Sequence, residues 1–174
     1  MTMNLPNVLT LVRLASVPVL GMLLAIDQGT NPGYRDLAAI VFIFASLTDF
    51  VDGALARRWN QETRFGRIMD PIADKALVAV ALIGLALLNE LAWWIVVAIL
   101  GRELLVTVLR SRHTLPVSGA GKAKTLSQII AITMYLAVVP GITWWQPASY
   151  VAMAIAVILT LGTGVMYVRE AIRT

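Results

Sequence analysis

Apolar residues dominate six stretches of the chain, 8–26, 37–56, 68–88, 91–109, 125–139 and 148–168, each near or above the roughly 20 residues that an α-helix needs to cross a bilayer core. The connections between them carry the punctuation of turns. Gly29, Pro32 and Gly33 stand in the first, Asn89 and Glu90 in the third, and Pro140, Gly141 and Pro147 in the fifth. The pattern predicts an all-α, polytopic integral membrane protein with six transmembrane helices. Almost nothing is left for a soluble domain, so residues 1–174 are read as a single membrane-embedded domain.

Composition agrees with the pattern. Of 174 residues, 59% are hydrophobic and 14% charged, and the mean hydropathy is +0.79, beyond the range of a soluble domain of this size. The first run is not read as a cleaved signal peptide, since no basic residue precedes it and no small-x-small site follows Ile26. The chain has no cysteine, which excludes disulfides and thiolate metal sites. There is no internal repeat and no low-complexity segment.

The distribution of Lys and Arg predicts orientation. Arg57, Arg58, Arg64 and Arg67 crowd the second connection, Arg110, Arg112, Lys122 and Lys124 the fourth, and Arg169 and Arg173 close the chain; the first connection has only Arg35, and the third and fifth have none. Both termini and the even-numbered connections are therefore expected on the cytoplasmic side of the cell membrane. The formal charge of +4 is explained by attraction to anionic lipid headgroups. Nucleic acid is not expected as a partner, because no basic and aromatic groove motif appears. Trp93, Trp94, Trp144 and Trp145 fall at the opposite interface and read as an aromatic belt.

Against this background the acids of "DFVDGALARRWNQETRFGRIMDPIADK", residues 49–75, stand out. Asp49 and Asp52 are three positions apart and Asp70 and Asp74 four, so each pair shares a helical face. The second run heads toward the cytoplasm and the third returns from it, which puts Asp49 and Asp74 both roughly 12 Å inward from their helix ends. Four carboxylates at one depth repel one another and resist desolvation, so positive charge must gather among them. An all-oxygen ligand set without His or Cys selects hard dications, and two ions, Mg2+ or Mn2+, would balance the cluster. Lys75 and neighbouring arginines supply part of the charge. A structural ion-pair network and a cation or proton pathway through a transporter are the other readings of such acids. Small residues beside them, Gly53, Ala54, Ala56 and Gly66, serve close helix packing or leave room for a flat base or a diphosphate.

Read whole, the stretch is D-x-x-D-G-x-x-A-R, eight residues, then G-x-x-x-D-x-x-x-D. It resembles, at every fixed position, the signature of the CDP-alcohol phosphotransferase family of integral membrane enzymes. The segments "NLPNVLTLVRLASVPV", "WWIVVAILGRELLVTVLR" and "GKAKTLSQIIAI" are similar to the bacterial phosphatidylglycerophosphate-forming branch of that family, so the resemblance covers nearly the whole chain. It implies six transmembrane helices, commonly paired in a homodimer, around a cytoplasm-facing cavity open sideways to membrane lipids. It implies as substrates CDP-diacylglycerol and sn-glycerol 3-phosphate, whose hydroxyl attacks the lipid-side phosphorus and releases CMP. A cardiolipin synthase of the same family, with phosphatidylglycerol as acceptor, is the nearest alternative; a phosphatidylinositol phosphate synthase is a more distant one.

By the same resemblance Asp49, Asp52 and Asp70 become metal ligands and Asp74 both a ligand and the general base. Gly53, Arg57 and Thr63, with Asn7 and Thr10 nearby and the small Ala56 and Gly66, are expected around the CDP part. A dianionic acceptor needs cations not spent on the metals' ligands, and Arg102, Arg110, Arg112, Lys122 and Lys124 form the available group. Arg102 lies inside the fourth run, where an unpaired arginine is costly; its neighbour Glu103 faces another direction on the helix and is not assigned as its partner. Arg13 in the first run reads equally as a ligand, an ion-pair member or a snorkelling side chain. The single histidine, His113, reads as a solvated loop residue.

Overall fold

The computed structural model describes residues 5–27, 32–59, 64–112, 119–137, 139 and 141–173; within them the side chains of 5–7, 32, 49–59, 64, 65, 67, 112, 119, 120 and 173 are outside the description. The described residues form six helices and no strand: α1 Leu5–Asp27, α2 Pro32–Trp59, α3 Arg64–Leu87, α4 Trp93–Arg112, α5 Gly119–Leu136 and α6 Trp145–Arg173. One helix answers to each apolar run. Most extend past their runs at one or both ends, because hydropathy marks only the part of a helix that suits lipid while the backbone ladder continues through polar ends. The largest shift is in α5, which begins at Gly119 rather than 125 and so takes Lys122 and Lys124 into its first turns.

Among the described residues, α1 over Val8–Asp27 and α6 over Trp145–Ile172 are long and apolar enough to cross a membrane on composition alone. The others dilute their apolar runs with charge: α3 carries Asp70, Asp74 and Lys75, and α4 carries Arg102, Glu103 and Arg110. Their surfaces are nonetheless apolar. Ile40, Phe44 and Leu47 on α2, Ile72 and Leu87 on α3, Val97 and Leu104 on α4, and Ile130 on α5 are all exposed, far more outward-facing hydrocarbon than a water-soluble chain carries. Trp93, Trp94 and Trp144 are exposed at the ends expected to form the aromatic belt.

The helices fall into two compact units, Met1–Leu88 and Asn89–Thr174. In the first, α1 packs on both α2 and α3. Its core repeats every three to four residues, as a buried helix face must: Leu20 and Leu24 on α1, Ala38, Phe42 and Ala45 on α2, and Ala73, Leu77, Ala81 and Leu85 on α3. The alanines let the backbones approach closely. Gly84 does so most tightly, since a Cβ there would lie 2.5 Å from Leu24 Cδ1 and 3.4 Å from its Cβ. Gly84→Ala is expected to force Leu24 out of its rotamer and cost about 1–3 kcal/mol, read as a lower unfolding temperature in detergent with no change in Michaelis constants. At the end of this unit Asp27 and Arg35, both 2% exposed, form an ion pair at 3.1 Å that ties the end of α1 to the start of α2.

α3 ends at Leu87, and Asn89 takes a left-handed backbone, φ 60°, a conformation that asparagine tolerates better than most residues and that commonly stops a helix. In the second unit α6 packs on α4 and α5. Trp145 at its start donates its indole N–H to the carbonyls of Met134 and Ala137, at 3.1 and 2.8 Å, satisfying acceptors that the end of α5 would otherwise leave open.

Candidate active site

In α1 the sequence "NVLTLVR" places Thr10 and Arg13 one turn apart, 1% and 0% exposed. A buried guanidinium is tolerated only with compensating partners. Arg13 finds them on both neighbouring helices: its Nε donates to the carbonyl of Ala45 on α2 at 3.3 Å, and Nη1 stands 3.8 Å from Asp70 Oδ1 on α3. Thr10 Oγ1 donates to the same Asp70 oxygen at 2.6 Å, a short bond of the kind that a carboxylate acceptor makes. Ala45 also accepts from Thr48 Oγ1 at 2.7 Å. Asp49 and Asp52 follow four and seven positions after Ala45 in α2.

Asp70 is thus held by one oxygen. Oδ2 carries no hydrogen bond among the described residues, and the side chain is 39% exposed. Asp74, one turn on, is half-buried, as is Lys75, while Gly66 one turn before is buried. This arrangement is compatible with a metal ligand, since outer partners fix one carboxylate oxygen and leave the other open. Arg13, left open between three roles by the sequence, is an ion-pair member and a tie between helices. Of the expected ligands, Asp70 and Asp74 are described; the side chains of Asp49 and Asp52 lie outside the described residues. So do those of Asn7, Gly53, Ala56 and Arg57 around the expected CDP position, and Thr63 altogether. Thr10, expected beside the nucleotide, donates its hydroxyl hydrogen bond to Asp70.

The expected acceptor cations fall in the second unit. Arg102, 8% exposed, donates through Nη1 to Glu103 Oε1 at 3.1 Å and through Nη2 to Thr163 Oγ1 on α6 at 2.9 Å. Lys124 on α5, 5% exposed, donates to the same Glu103 oxygen. The expectation for Glu103 is therefore corrected. Adjacent helix residues do leave on different faces, but the arginine stem is long enough to bend back across the turn. Glu103 binds Arg102 and Lys124 together. Room for the Arg102 stem comes from Gly164, where a Cβ would lie 3.0 Å from Arg102 Cγ.

Arg110 is exposed and donates through Nη2 to the Tyr167 hydroxyl at 2.7 Å, with its guanidinium carbon 4.8 Å from the centre of the tyrosine ring. Lys122 is exposed with no hydrogen bond among the described residues. The side chain of Arg112 and all of His113 lie outside the description. Thr163 and Tyr167 are not singled out by the sequence pattern, and Glu103 enters it only as a neighbour not assigned to Arg102. The available signal was the polar spacing on α6: Thr160, Thr163 and Tyr167 recur at three and four positions along an otherwise apolar helix, and Thr160 likewise accepts from Gln128 on α5 at 2.8 Å.

The family pattern described as CDP-alcohol phosphatidyltransferase matches residues 3–162. The chain belongs to the CDP-alcohol phosphatidyltransferase family. Membership makes it a phosphatidyltransferase and agrees with a membrane-embedded six-helix chain. Within the family it is 45% identical, over 98% of its own length and 82% of the relative's, to a Mycobacterium tuberculosis protein named as a probable phosphatidylglycerophosphate synthase. It is 35% identical, over 98% of its length and 96% of the relatives', to proteins of Escherichia coli and Salmonella choleraesuis named CDP-diacylglycerol--glycerol-3-phosphate 3-phosphatidyltransferase. The stretch common to the CDP-alcohol phosphatidyltransferases takes in all four aspartates, Arg13, Arg102, Glu103 and Arg110, and stops before Thr163 and Tyr167.

Proposed function

We propose that this protein transfers the phosphatidyl group of CDP-diacylglycerol to sn-glycerol 3-phosphate, giving phosphatidylglycerophosphate and CMP. The observation that carries the reading is the grip of Thr10 and Arg13 on one oxygen of Asp70, which leaves the other for an ion. The names of the relatives give the substrates.

Asp49, Asp52, Asp70 and Asp74 would hold two divalent cations, Mg2+ or Mn2+. Such ions supply charge stabilisation to the non-bridging and leaving oxygens of a phosphoryl group. The protein's own side chains do the rest. Asp74 takes the proton from the acceptor hydroxyl, whose oxygen bonds to the lipid-side phosphorus as the bond to the CMP oxygen breaks. Thr10 acts on the site through Asp70, keeping its carboxylate from turning. Asn7, Gly53, Ala56, Arg57, Thr63 and Gly66 bound the CDP part. The cations on α4 and α5 serve the acceptor's phosphate, Arg110 foremost, since Arg102 and Lys124 already share Glu103. The enzyme works as a homodimer in the cell membrane, with both termini and the active site on the cytoplasmic side.

The test is CMP release by purified protein in mixed micelles, with CDP-diacylglycerol and each acceptor in turn. Turnover with glycerol 3-phosphate, lost on chelation and restored by Mg2+ or Mn2+, is expected. Turnover with phosphatidylglycerol alone would make the protein a cardiolipin synthase. Ion movement in sealed vesicles without CMP would make it a transporter. Arg110→Ala is expected to raise the Michaelis constant for glycerol 3-phosphate by roughly ten- to a hundredfold with little effect on that for CDP-diacylglycerol, as loss of a hydrogen bond to a charged group does.

A further inference from the structure

Arg110 and Tyr167 form a contact of unusual economy. Tyr167 is 6% exposed, so its ring is held by packing, and Arg110 rests over that ring at 4.8 Å while donating a single N–H to its hydroxyl at 2.7 Å. Guanidinium donors lie in the plane of the group. The approach to the aromatic ring uses none of them, and the phenol oxygen accepts one of five. Nε and Nη1 of Arg110 make no hydrogen bond among the described residues, and the side chain is exposed. Nη2 gives only one of its two hydrogens to the phenol, so one forked edge of the guanidinium, Nε with Nη2 or Nη1 with Nη2, stays open as the two-pronged donor that a phosphate accepts from arginine. The same ring lies 5.6 Å from the guanidinium carbon of Arg102, so one tyrosine spaces two arginines of opposite employment: Arg102 is turned inward to Glu103 and Thr163, and Arg110 outward.

We propose that Tyr167 is the positioning residue of the acceptor site, fixing the tilt of Arg110 so that the two N–H groups of its open edge meet a dianionic phosphomonoester already oriented. This rests on the reading that Arg110 holds the acceptor's phosphate. A long arginine free in solvent loses rotamer freedom on binding, whereas one resting on a buried ring has lost much of it beforehand, so the tyrosine acts on acceptor affinity and leaves the chemistry alone. Tyr167 also lies beyond residues 3–162 that match the family as a whole, as suits a residue serving one kind of acceptor within a family that uses many alcohols.

Tyr167→Phe keeps the ring and removes the hydroxyl. It is expected to raise the Michaelis constant for glycerol 3-phosphate roughly tenfold while leaving the constant for CDP-diacylglycerol, the turnover number and the unfolding temperature in place. In an Arg110→Ala background the same substitution is expected to change nothing further, because the residue acts only through Arg110. An undiminished effect in that background, or equal shifts in both Michaelis constants, overturns the proposal as a general structural effect of Tyr167. If Arg110→Ala raises the acceptor constant and Tyr167→Phe does not, the positioning role alone falls. If Arg110→Ala leaves the constant unchanged, Arg110's place in the proposed function falls and this inference with it.

Discussion

Asp74→Asn is expected to lower the rate of CMP release by more than about a hundredfold, with the protein still folded. The substitution keeps the size and shape of the side chain, so packing on α3 beside the buried Ala73 and Leu77 is retained. What it removes is negative charge and basicity. An amide takes no proton from an attacking hydroxyl, and it is a poorer ligand for a hard dication than a carboxylate. Asp70→Asn is the informative companion, because Asp70 is fixed from α1 and has no base role: raised Mg2+ should recover part of its activity and little of that of Asp74→Asn. Turnover of Asp74→Asn near the wild-type rate would remove the assigned base, and recovery of both variants by metal would reduce Asp74 to a ligand.

The second large effect concerns stability. Arg35→Met is expected to cost about 3–5 kcal/mol, because Asp27 is 2% exposed and would be left as a buried carboxylate without its guanidinium. Much of that loss should return in the double variant Asp27→Leu, Arg35→Met, where neither charge remains to be desolvated. Unfolding temperatures in detergent check both. If the single and double variants lose the same amount, the contribution of Arg35 is packing of its stem rather than charge. The pair closes the connection between α1 and α2, at the end of α1 away from Thr10 and Arg13, so CMP release at low temperature should change little in either variant.

The number and order of helices were legible because each apolar run has one helix to make and turn residues on either side. Helix ends were less so, and α5 shows why: Lys122 and Lys124 interrupt the hydropathy signal but not the hydrogen-bond ladder. Periodicity also placed Asp70 and Asp74 one turn apart on α3. It could not reveal that Thr10 and Arg13, some sixty residues earlier in the chain, would meet Asp70, since that depends on which helices become neighbours. Glu103 was misjudged for a related reason. Helical angles describe where a side chain leaves the backbone, and a long side chain ends elsewhere. Tyr167 went unnoticed because a lone tyrosine on an apolar helix has many ordinary explanations, and only the arrival of two arginines on its ring distinguishes it.

The row of polar groups on α6 bears on how that helix is held about its own axis. Thr160, Thr163 and Tyr167 receive Gln128, Arg102 and Arg110 in turn. A slip by one residue would swing the whole row by about 100° and take the α6 acceptor from three donors at once. In a lipid environment, where apolar faces are nearly interchangeable, such a penalty selects a single rotational setting for a helix that its oily surface alone would let turn freely.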